Sequence, residues 1–332
     1  MNFGFNDEQA EIKSTAKGFL ADRFSPAVVR ELAEAGRYDD GLWAEICELG
    51  WPGLAIDEAY GGLDLGMVEL AILSEELGYA CAPTRFLSNA AAGLMLELAG
   101  SDEQKGRYLE GVVSGEAPGA VGTVGPDGSA PLVADAEGAA VIVLVDGDQA
   151  TVQSGSEAEV EAVELIDVTR RYASVAAGGE PLPGDVAAAR DRIAVLIAAE
   201  LTGVAQRAMD MSVEYAKERE QFDRPIGAYQ AVSHSCAQML YDVEEARSLS
   251  YYAAWTADAE PESLPLAAAM AKARASDAAW EVTKAAIQVH GGIGFTWEHD
   301  LHFLLKRARA DGQLFGTAGQ HRERVASLSG LG

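Results

Sequence analysis

The sequence predicts a mainly α-helical protein in three parts: a helical N-terminal domain, a small β middle domain and a C-terminal antiparallel helical bundle. Long stretches toward both ends carry apolar residues at spacings of three and four, which is typical of helices with one buried face. Between them lies a segment rich in glycine, proline and short β-branched runs, which is typical of strands and turns. We therefore expect domains at residues 1–115, 116–184 and 185–332.

The first domain begins with clear helix-start signals. Asn6 can cap a helix, and Gln9 stands at the spacing of a capping box. Pro26 suits the first position of a second helix, because its fixed φ matches the helix and its missing N–H needs no partner there. Asp40 begins a third helix. Further helices are predicted over about 67–79, 84–99 and 102–113.

The middle domain is predicted from a hairpin signal. The apolar runs 140–145 and 150–152 are separated by Asp-Gly-Asp, which is typical of a tight turn between two strands. In the last domain, three long helices are predicted over about 185–219, 228–257 and 263–289. Each has a continuous apolar face, so we expect them to form an antiparallel bundle. Two short helices, over about 298–311 and 318–328, follow the bundle.

Composition excludes several classes of partner. The formal net charge is -27, and a surface of this sign repels nucleic acids and anionic membranes. Cys47, Cys81 and Cys236 are far apart and lack the spacing of a disulfide framework or a zinc site. The first residues contain no basic segment followed by an apolar run, and no stretch of about twenty apolar residues occurs. We therefore expect a cytoplasmic protein with no membrane span.

Two segments carry residues suited to binding a ligand. The first, 219–230, reads Arg-Glu-Gln-Phe-Asp-Arg-Pro-Ile-Gly-Ala-Tyr-Gln, and its first guanidinium suits bidentate contact with a phosphate. The second, 288–296, reads Gln-Val-His-Gly-Gly-Ile-Gly-Phe-Thr and follows a helical pattern. Its glycines permit φ > 0 and the close approach of another group. Either segment alone can also be interpreted as a helix cap or a turn.

Taken together, the two segments closely resemble the motifs of the acyl-CoA dehydrogenases. The resemblance covers nearly the whole chain, including residues 50–62, 74–78, 103–116 and 167–175. In that family FAD is bound across a subunit interface: the middle domain of one subunit holds the ring, and the two motifs of its partner hold the pyrophosphate and adenosine. The resemblance therefore implies FAD-binding roles for these residues: Arg219, Phe222, Gln230, Gln288, Val289, His290, Gly291, Gly292 and Thr317.

The resemblance also implies a reaction, which is FAD-dependent α,β-dehydrogenation of an acyl-CoA thioester in fatty acid or steroid side-chain β-oxidation. Electrons would then pass to an electron-transfer acceptor. Such a reaction needs a carboxylate base to take the α-proton. The family's usual spacing from Gln288 leads to Phe315, and its alternative position on the first bundle helix falls near Ile193. Neither side chain can accept a proton, so no catalytic base is predicted in this chain.

Nearby carboxylates do not replace the missing base in this interpretation. Asp191 lies two residues from Ile193, an offset of about 200° around a helix, so its side chain is expected to point elsewhere. Glu200 is also off register. We interpret both as solvated helix carboxylates. His299 and His302 lack a third ligand, so we predict packing or surface roles for them and no metal site. The basic stretch 306–309 is interpreted as a solvated face.

The departures from the family pattern fall on one side of the FAD site. The middle segment is short, and Val124 stands where the family has Glu. The chain thus resembles the short subunits of actinobacterial heterotetrameric acyl-CoA dehydrogenases, which pair with a homologous full-length catalytic subunit that supplies the Glu. Two alternatives remain open. One is a non-catalytic structural or FAD-binding subunit, and the other is a stand-alone homo-oligomeric dehydrogenase with an off-register base.

Overall fold

The structure is a computed structural model that describes residues 4–331. Residues 1–3 and 332, which belong to the predicted end domains and to the segment inspected for a signal peptide, lie outside the described residues. By compactness the chain divides into two units, one of Met1–Arg30, Ala71–Ala82 and Ile197–Gly332, the other of Glu31–Leu70 and Pro83–Leu196. The division into three domains remains a prediction. Within the described part, no helix is both long and apolar enough to cross a membrane.

The N-terminal helices begin where the sequence predicts. Their bounds are α1 Asp7–Arg23, α2 Pro26–Ala35, α3 Asp40–Glu48, α4 Met67–Ala80, α5 Phe86–Ala99 and α6 Asp102–Ser114. The capping box of α1 is confirmed, because Asn6 Oδ1 accepts from Gln9 N at 2.8 Å and Gln9 Oε1 accepts from Asn6 N at 3.0 Å. Asp40 is the first residue of α3, and its cap is Asp39, whose Oδ1 accepts from Gly41 N at 2.8 Å.

The middle segment forms two small sheets. Their strands are β1 Gly119–Thr123, β2 Ala130–Ala134, β3 Val141–Asp146, β4 Gln149–Ser154, β5 Val160–Val163, β6 Tyr172–Val175 and β7 Glu180–Pro181. The strand orders are β1-β3-β4-β7 and β2-β6-β5. The predicted hairpin is confirmed as the antiparallel pair β3–β4, and β1 pairs with β3 in parallel. Buried side chains from both sheets share one small core, which includes Val133 and Ile142.

The strand β6 is shorter than the family-like segment 167–175 from which it was expected. Asp167 Oδ1 accepts hydrogen bonds from Thr169 N at 2.9 Å and from the Thr169 hydroxyl at 2.5 Å. This local turn holds residues 167–169 away from strand pairing. The Asp167 carboxylate accepts the hydrogen bond from Thr169 N that a neighbouring strand would otherwise accept. The antiparallel ladder with β2 therefore begins only at Tyr172.

The C-terminal part consists of long helices joined by short connections. The bounds are α7 Val186–Glu218, β8 Glu220–Gln221, β9 Arg224–Pro225, α8 Gln230–Ala259, α9 Leu264–His290, α10 Leu301–Asp311 and α11 Ala318–Leu328. Each predicted helix is present within a few residues of its expected ends. The cap predicted at Asp185 is also confirmed, since its Oδ1 accepts from Ala188 N at 2.9 Å.

Helices α4 and α7 cross with their backbones in direct contact. A Cβ on Gly78 would lie 2.1 Å from the carbonyl oxygen of Glu200, and a Cβ on Gly203 would lie 1.9 Å from the carbonyl oxygen of Glu75. Real Cβ atoms do not approach a carbonyl oxygen so closely, so both positions require glycine. Each glycine thus sits opposite the other helix's backbone, and the crossing distance is set by the absence of two side chains.

Three charged residues that were interpreted as solvated are buried, and that interpretation was wrong for them. Glu200 is 3% exposed and Arg307, in the basic stretch 306–309, is 1% exposed. Arg307 Nη1 contacts Glu200 Oε1 at 2.7 Å, so the desolvated charges compensate each other. Asp191 is likewise buried, at 2% exposure. Local sequence patterns do not reveal the pair between Glu200 and Arg307, because the two residues lie far apart along the chain.

The helix crossing generates a stability prediction. Gly203→Ala is expected to lower the free energy of unfolding by about 1–3 kcal/mol, because the added methyl group must force α4 and α7 apart. Gly18→Ala on α1 is the matched control, since a Cβ there meets no atom within 4 Å. Helix propensity alone favours Ala over Gly by about 1 kcal/mol, so the control is expected to be neutral or stabilised. Urea unfolding monitored by circular dichroism measures the free energy of unfolding of both variants. A change of the same sign in Gly203→Ala and Gly18→Ala would contradict the role of the crossing.

Candidate cofactor-binding groove

The two motif segments lie side by side and line one open groove. The groove has a volume of about 680 Å³. Five predicted residues line it: Arg219, Val289, His290, Gly291 and Gly292. The other lining residues are Tyr215, Gln221, Ile226 and Ile293. The structure therefore brings together residues that the sequence separates by about seventy positions.

Arg219 is placed by the end of α7 and by the short hairpin β8–β9. Its backbone N–H donates to Tyr215 O at 2.8 Å, and its carbonyl accepts from Ile226 N at 2.8 Å. These bonds fix the backbone at the groove, while the side chain remains exposed. Among residues 4–331, no carboxylate pairs with this guanidinium. An exposed, uncompensated cation in an acidic chain is suited to an anionic ligand.

The glycine turn forms the opposite wall. Helix α9 ends at His290, and Gly291 follows with φ +62°, a conformation that favours glycine. A Cβ added at Gly291 or Gly292 would meet no atom within 4 Å, so the space beside these α-carbons is open. A ligand can therefore approach the backbone closely at this turn.

His290 anchors the turn and was predicted, whereas its aromatic neighbour Tyr215 was missed. The His290 ring stacks on Tyr215 with centroids 4.5 Å apart and meets His299 edge-on at 4.6 Å. His290 Nδ1 lies 2.8 Å from Ala286 O and donates to it. Burial lowers the pKa of His290, which favours the neutral ring. Tyr215 lies on α7, four residues before Arg219. Because residues at this spacing share one face of a helix, the spacing could have indicated that Tyr215 lies beside Arg219.

The remaining predicted FAD residues do not line the groove. Phe222 stands at the hairpin turn with φ +54° and is 87% exposed. Gln230 is the first residue of α8 and Gln288 lies in the last turn of α9, both exposed. Thr317 caps α11, since its Oγ1 accepts from Gln320 N at 3.2 Å. A role for these four residues toward FAD remains a prediction.

The two positions at which the sequence led us to expect a base hold apolar side chains in different settings. Ile193 is fully buried on α7. Phe315 is half-buried, with φ +54°, in the loop between α10 and α11. His321 Nε2 donates to Phe315 O at 2.9 Å.

Lys272, on α9, is a second anchor of that loop and was not singled out from the sequence. Its ammonium is completely buried and donates to Ser276 Oγ at 3.1 Å, Gly312 O at 3.3 Å and Gly316 O at 3.1 Å. Three donors thus meet three acceptors. Burial lowers the pKa of Lys272 to about 8, and the charge of Asp311 acts in the opposite direction.

The histidines interpreted as packing residues do pack against aromatic rings. His302 stacks on Trp297 with centroids 4.4 Å apart and contacts Phe303 at 4.1 Å. Burial lowers the pKa of both His299 and His302. In the part of the chain that the structure describes, no group of three or more His, Cys, Asp or Glu residues could hold a metal ion.

Comparison with known proteins identifies this fold as that of an FAD-dependent dehydrogenase. The family model for the acyl-CoA dehydrogenase N-terminal domain matches residues 6–116, and that for the C-terminal domain matches residues 188–328. The chain belongs to the acyl-CoA dehydrogenase family. Acyl-CoA dehydrogenase IpdE2 of Mycolicibacterium smegmatis is 34% identical over 324 residues, covering 96% of this chain and 98% of the relative.

Other relatives and solved structures agree. Acyl-CoA dehydrogenase FadE34 of Mycobacterium tuberculosis is 34% identical over 98% of this chain and 48% of its own length. A variant of the Tcur3481-Tcur3483 steroid ACAD superposes with a TM-score of 0.86 at 26% identity, covering 98% of both chains. Butyryl-CoA dehydrogenase from Megasphaera elsdenii shares the fold, with a TM-score of 0.86 at 24% identity over 99% of this chain and 100% of that one.

Family membership makes FAD the cofactor and acyl-CoA the substrate class, with electrons passed to an acceptor such as an electron transfer flavoprotein. The groove suits part of this cofactor. Its unpaired guanidinium and open glycine turn provide a cationic donor and close backbone approach, which a pyrophosphate requires.

The buried lysine generates a pH prediction. The pKa of Lys272 is about 8 in the folded protein against an ordinary value of 10.5, so the unfolded chain holds its proton to higher pH. Stability therefore rises with pH between these values, by about 3 kcal/mol in total. Relative to Lys272→Met, the wild-type free energy of unfolding is expected to increase by this amount from pH 8 to 10.5.

Urea titrations of both proteins at several pH values measure this difference. Lys284→Met, which removes an exposed ammonium from the same helix, controls for general effects of charge removal. If the free energies of unfolding of wild type and Lys272→Met changed with pH in parallel, the lowered pKa of Lys272 would be contradicted.

Proposed function

We propose that this chain is the shorter subunit of a hetero-oligomeric acyl-CoA dehydrogenase. Its groove binds the pyrophosphate and adenosine of an FAD whose ring lies against a homologous full-length partner. That partner supplies the catalytic Glu. The observation that carries the proposal is a contrast within one chain: the groove brings Arg219 and the glycine turn together, whereas apolar side chains occupy both expected base positions, Ile193 and Phe315.

The groove's own residues would bind and orient the cofactor. Arg219 supplies the uncompensated charge for the pyrophosphate, and the turn at Gly291 and Gly292 admits it to the backbone. Tyr215 and His290 form a stacked wall that keeps the turn in place. Bound FAD supplies the hydride acceptor for the β-carbon of the acyl chain.

The nearby carboxylates are poor candidates for the base. A base must reach the α-carbon of the substrate and exchange its proton there. Glu200 is buried and engaged by Arg307 at 2.7 Å, so protonating it would break a buried ion pair. Asp191 is also buried, at 2% exposure. These contacts disfavour the stand-alone dehydrogenase with an off-register base.

The middle segment supports the same division of labour. Val124, in place of the family's Glu, donates its N–H to Val145 O at 2.8 Å and packs against the small core that includes Ile142. The position thus serves the folding of the sheets. Together with the shortened strands, this favours a partner that holds the flavin ring.

The substrate class proposed is a steroid side-chain thioester of coenzyme A. One structural neighbour at 26% identity is described as the Tcur3481-Tcur3483 steroid ACAD. Relatives at 34–35% identity, which are about as long as this chain, are actinobacterial acyl-CoA dehydrogenases. By analogy, the partner of this chain is a second, longer member of the same family.

Removal of the groove cation tests the cofactor role. Arg219→Ala is expected to weaken FAD binding in the assembled complex about tenfold to a hundredfold, because a charge-assisted hydrogen bond contributes about 1.5–3 kcal/mol. The dissociation constant is measured from the recovery of flavin fluorescence on dilution. Arg224→Ala is the matched control: Arg224 lies on the same hairpin, but its guanidinium sits over Tyr229 at 3.9 Å and does not line the groove. Equal affinities in the two variants would count against the assignment.

The flavin content of the assembly tests the division of labour. In a homo-oligomer, every site would join an intact groove to a reduced middle domain, and no site would hold a base. With a full-length partner, half of the sites join two intact halves. We therefore expect about one FAD per two chains in the co-expressed complex, and little flavin or acyl-CoA oxidation by the isolated chain.

Absorption spectra and dye-coupled assays of the two preparations measure this. Full flavin occupancy with rapid turnover by the isolated chain would establish the homo-oligomeric enzyme instead. A stoichiometric complex with flavin but no turnover on any acyl-CoA would favour a non-catalytic FAD-binding subunit.

A further inference from the structure

A second pocket lies apart from the groove and shares no lining residue with it. It has a volume of about 220 Å³ and is lined by α1, the start of α2, and parts of α4, α7 and α10. Its interior is apolar, formed by side chains that are at least 95% buried: Leu20, Phe24, Val29, Phe303 and Leu304. Exposed Lys17, Ala21 and Pro26 lie at its edge. Water finds few hydrogen-bond partners on such walls, so they favour an apolar occupant.

The charges that line this pocket leave an excess of positive sign. Both lining carboxylates are engaged by cations: Glu76 by Lys13 at 2.9 Å and Asp300 by Arg30 at 2.5 Å. Their negative charge is therefore largely neutralised before any ligand arrives.

The two cations that line the pocket have no such partner. In the described residues, neither Lys17 nor Arg207 forms an ion pair. Arg207 contacts only the neutral phenol of Tyr79, at 3.5 Å from Nη1 to the hydroxyl and with its guanidinium over the ring. Tyr79 in turn donates to Asp210 at 3.0 Å, so the phenol stands between the guanidinium and this carboxylate, which does not pair with Arg207 directly. Two unpaired cations at one apolar pocket are notable in a chain of net charge -27.

We propose that this pocket binds a small amphipathic carboxylate, with its apolar body against Phe24 and Phe303 and its carboxylate between Lys17 and Arg207. The cations specify the sign of the head group, and Arg can contact a carboxylate bidentately. The volume limits the body, since about 30 Å³ per water-sized group leaves room for about seven such groups. A six-carbon fatty acid matches these limits. This site is independent of the function proposed for the groove.

Ligand-observed NMR on the assembled protein tests the site with three probes of equal length: hexanoate, 1-hexanol and hexylammonium. Hexanoate is expected to bind saturably and at least tenfold more tightly than hexanol, because a hydrogen bond to a charged group contributes roughly this factor. Hexylammonium is expected to bind least. Equal affinity for hexanoate and hexanol, or the absence of saturable hexanoate binding, would overturn the proposal.

Variants separate the head-group contacts from the apolar walls. Arg207→Met and Lys17→Met are each expected to weaken hexanoate binding about tenfold while leaving hexanol unchanged. Ala80→Phe, which fills the pocket from α4, is expected to abolish binding of both. Lys217→Met, an exposed lysine on α7 outside the pocket, is the matched control and is expected to bind hexanoate as the wild type does. Unchanged hexanoate affinity in both cation variants, with unfolding temperatures like that of the wild type, would refute the assignment.

Discussion

The backbone contact between α4 and α7 is the constraint on which the unit containing the groove depends. That unit is assembled from three separate stretches of chain, and α4 supplies most of the shortest one, Ala71–Ala82. Gly78 and Gly203 let the two helices touch, so side chains near the crossing have no route to water. Glu75 and Glu76 are 5% and 7% exposed as a result.

Burial at the crossing explains why ion pairs surround it. Lys13 from α1 contacts Glu75 at 3.2 Å and Glu76 at 2.9 Å, and Arg247 from α8 contacts Glu75 at 3.2 Å. Breaking a buried pair by removing one partner costs about 3–5 kcal/mol, because the remaining charge stays desolvated. The same contacts therefore fix which helices can lie beside α4. The contact from Lys13 also engages Glu76, one of the two carboxylates that line the second pocket.

The sequence predicted the helices well, because each long helix buries one continuous face. The apolar residues of that face recur every three or four positions, which can be seen in a short stretch of sequence. It predicted the groove through two motifs, of which Arg219 and Gly291 do meet in space. It did not predict the Glu200–Arg307 pair or Lys272. A charged residue in a helical pattern is normally solvated, and the partner that reverses this lies on another helix. Tyr215 was missed although its spacing from Arg219 was visible, since an aromatic residue on a bundle helix is usually core.

The loop between α10 and α11 carries Phe315, the residue at the base position expected from the sequence, and its shape is held by other residues. Phe315 has φ +54°, a conformation that is unfavourable for a residue other than glycine and needs support from its surroundings. That support comes from Lys272, from His321 and from the cap at Thr317. None of these contacts uses the side chain at position 315. The conformation of the loop therefore does not depend on the side chain at position 315, and the loop can keep its shape whichever residue stands there.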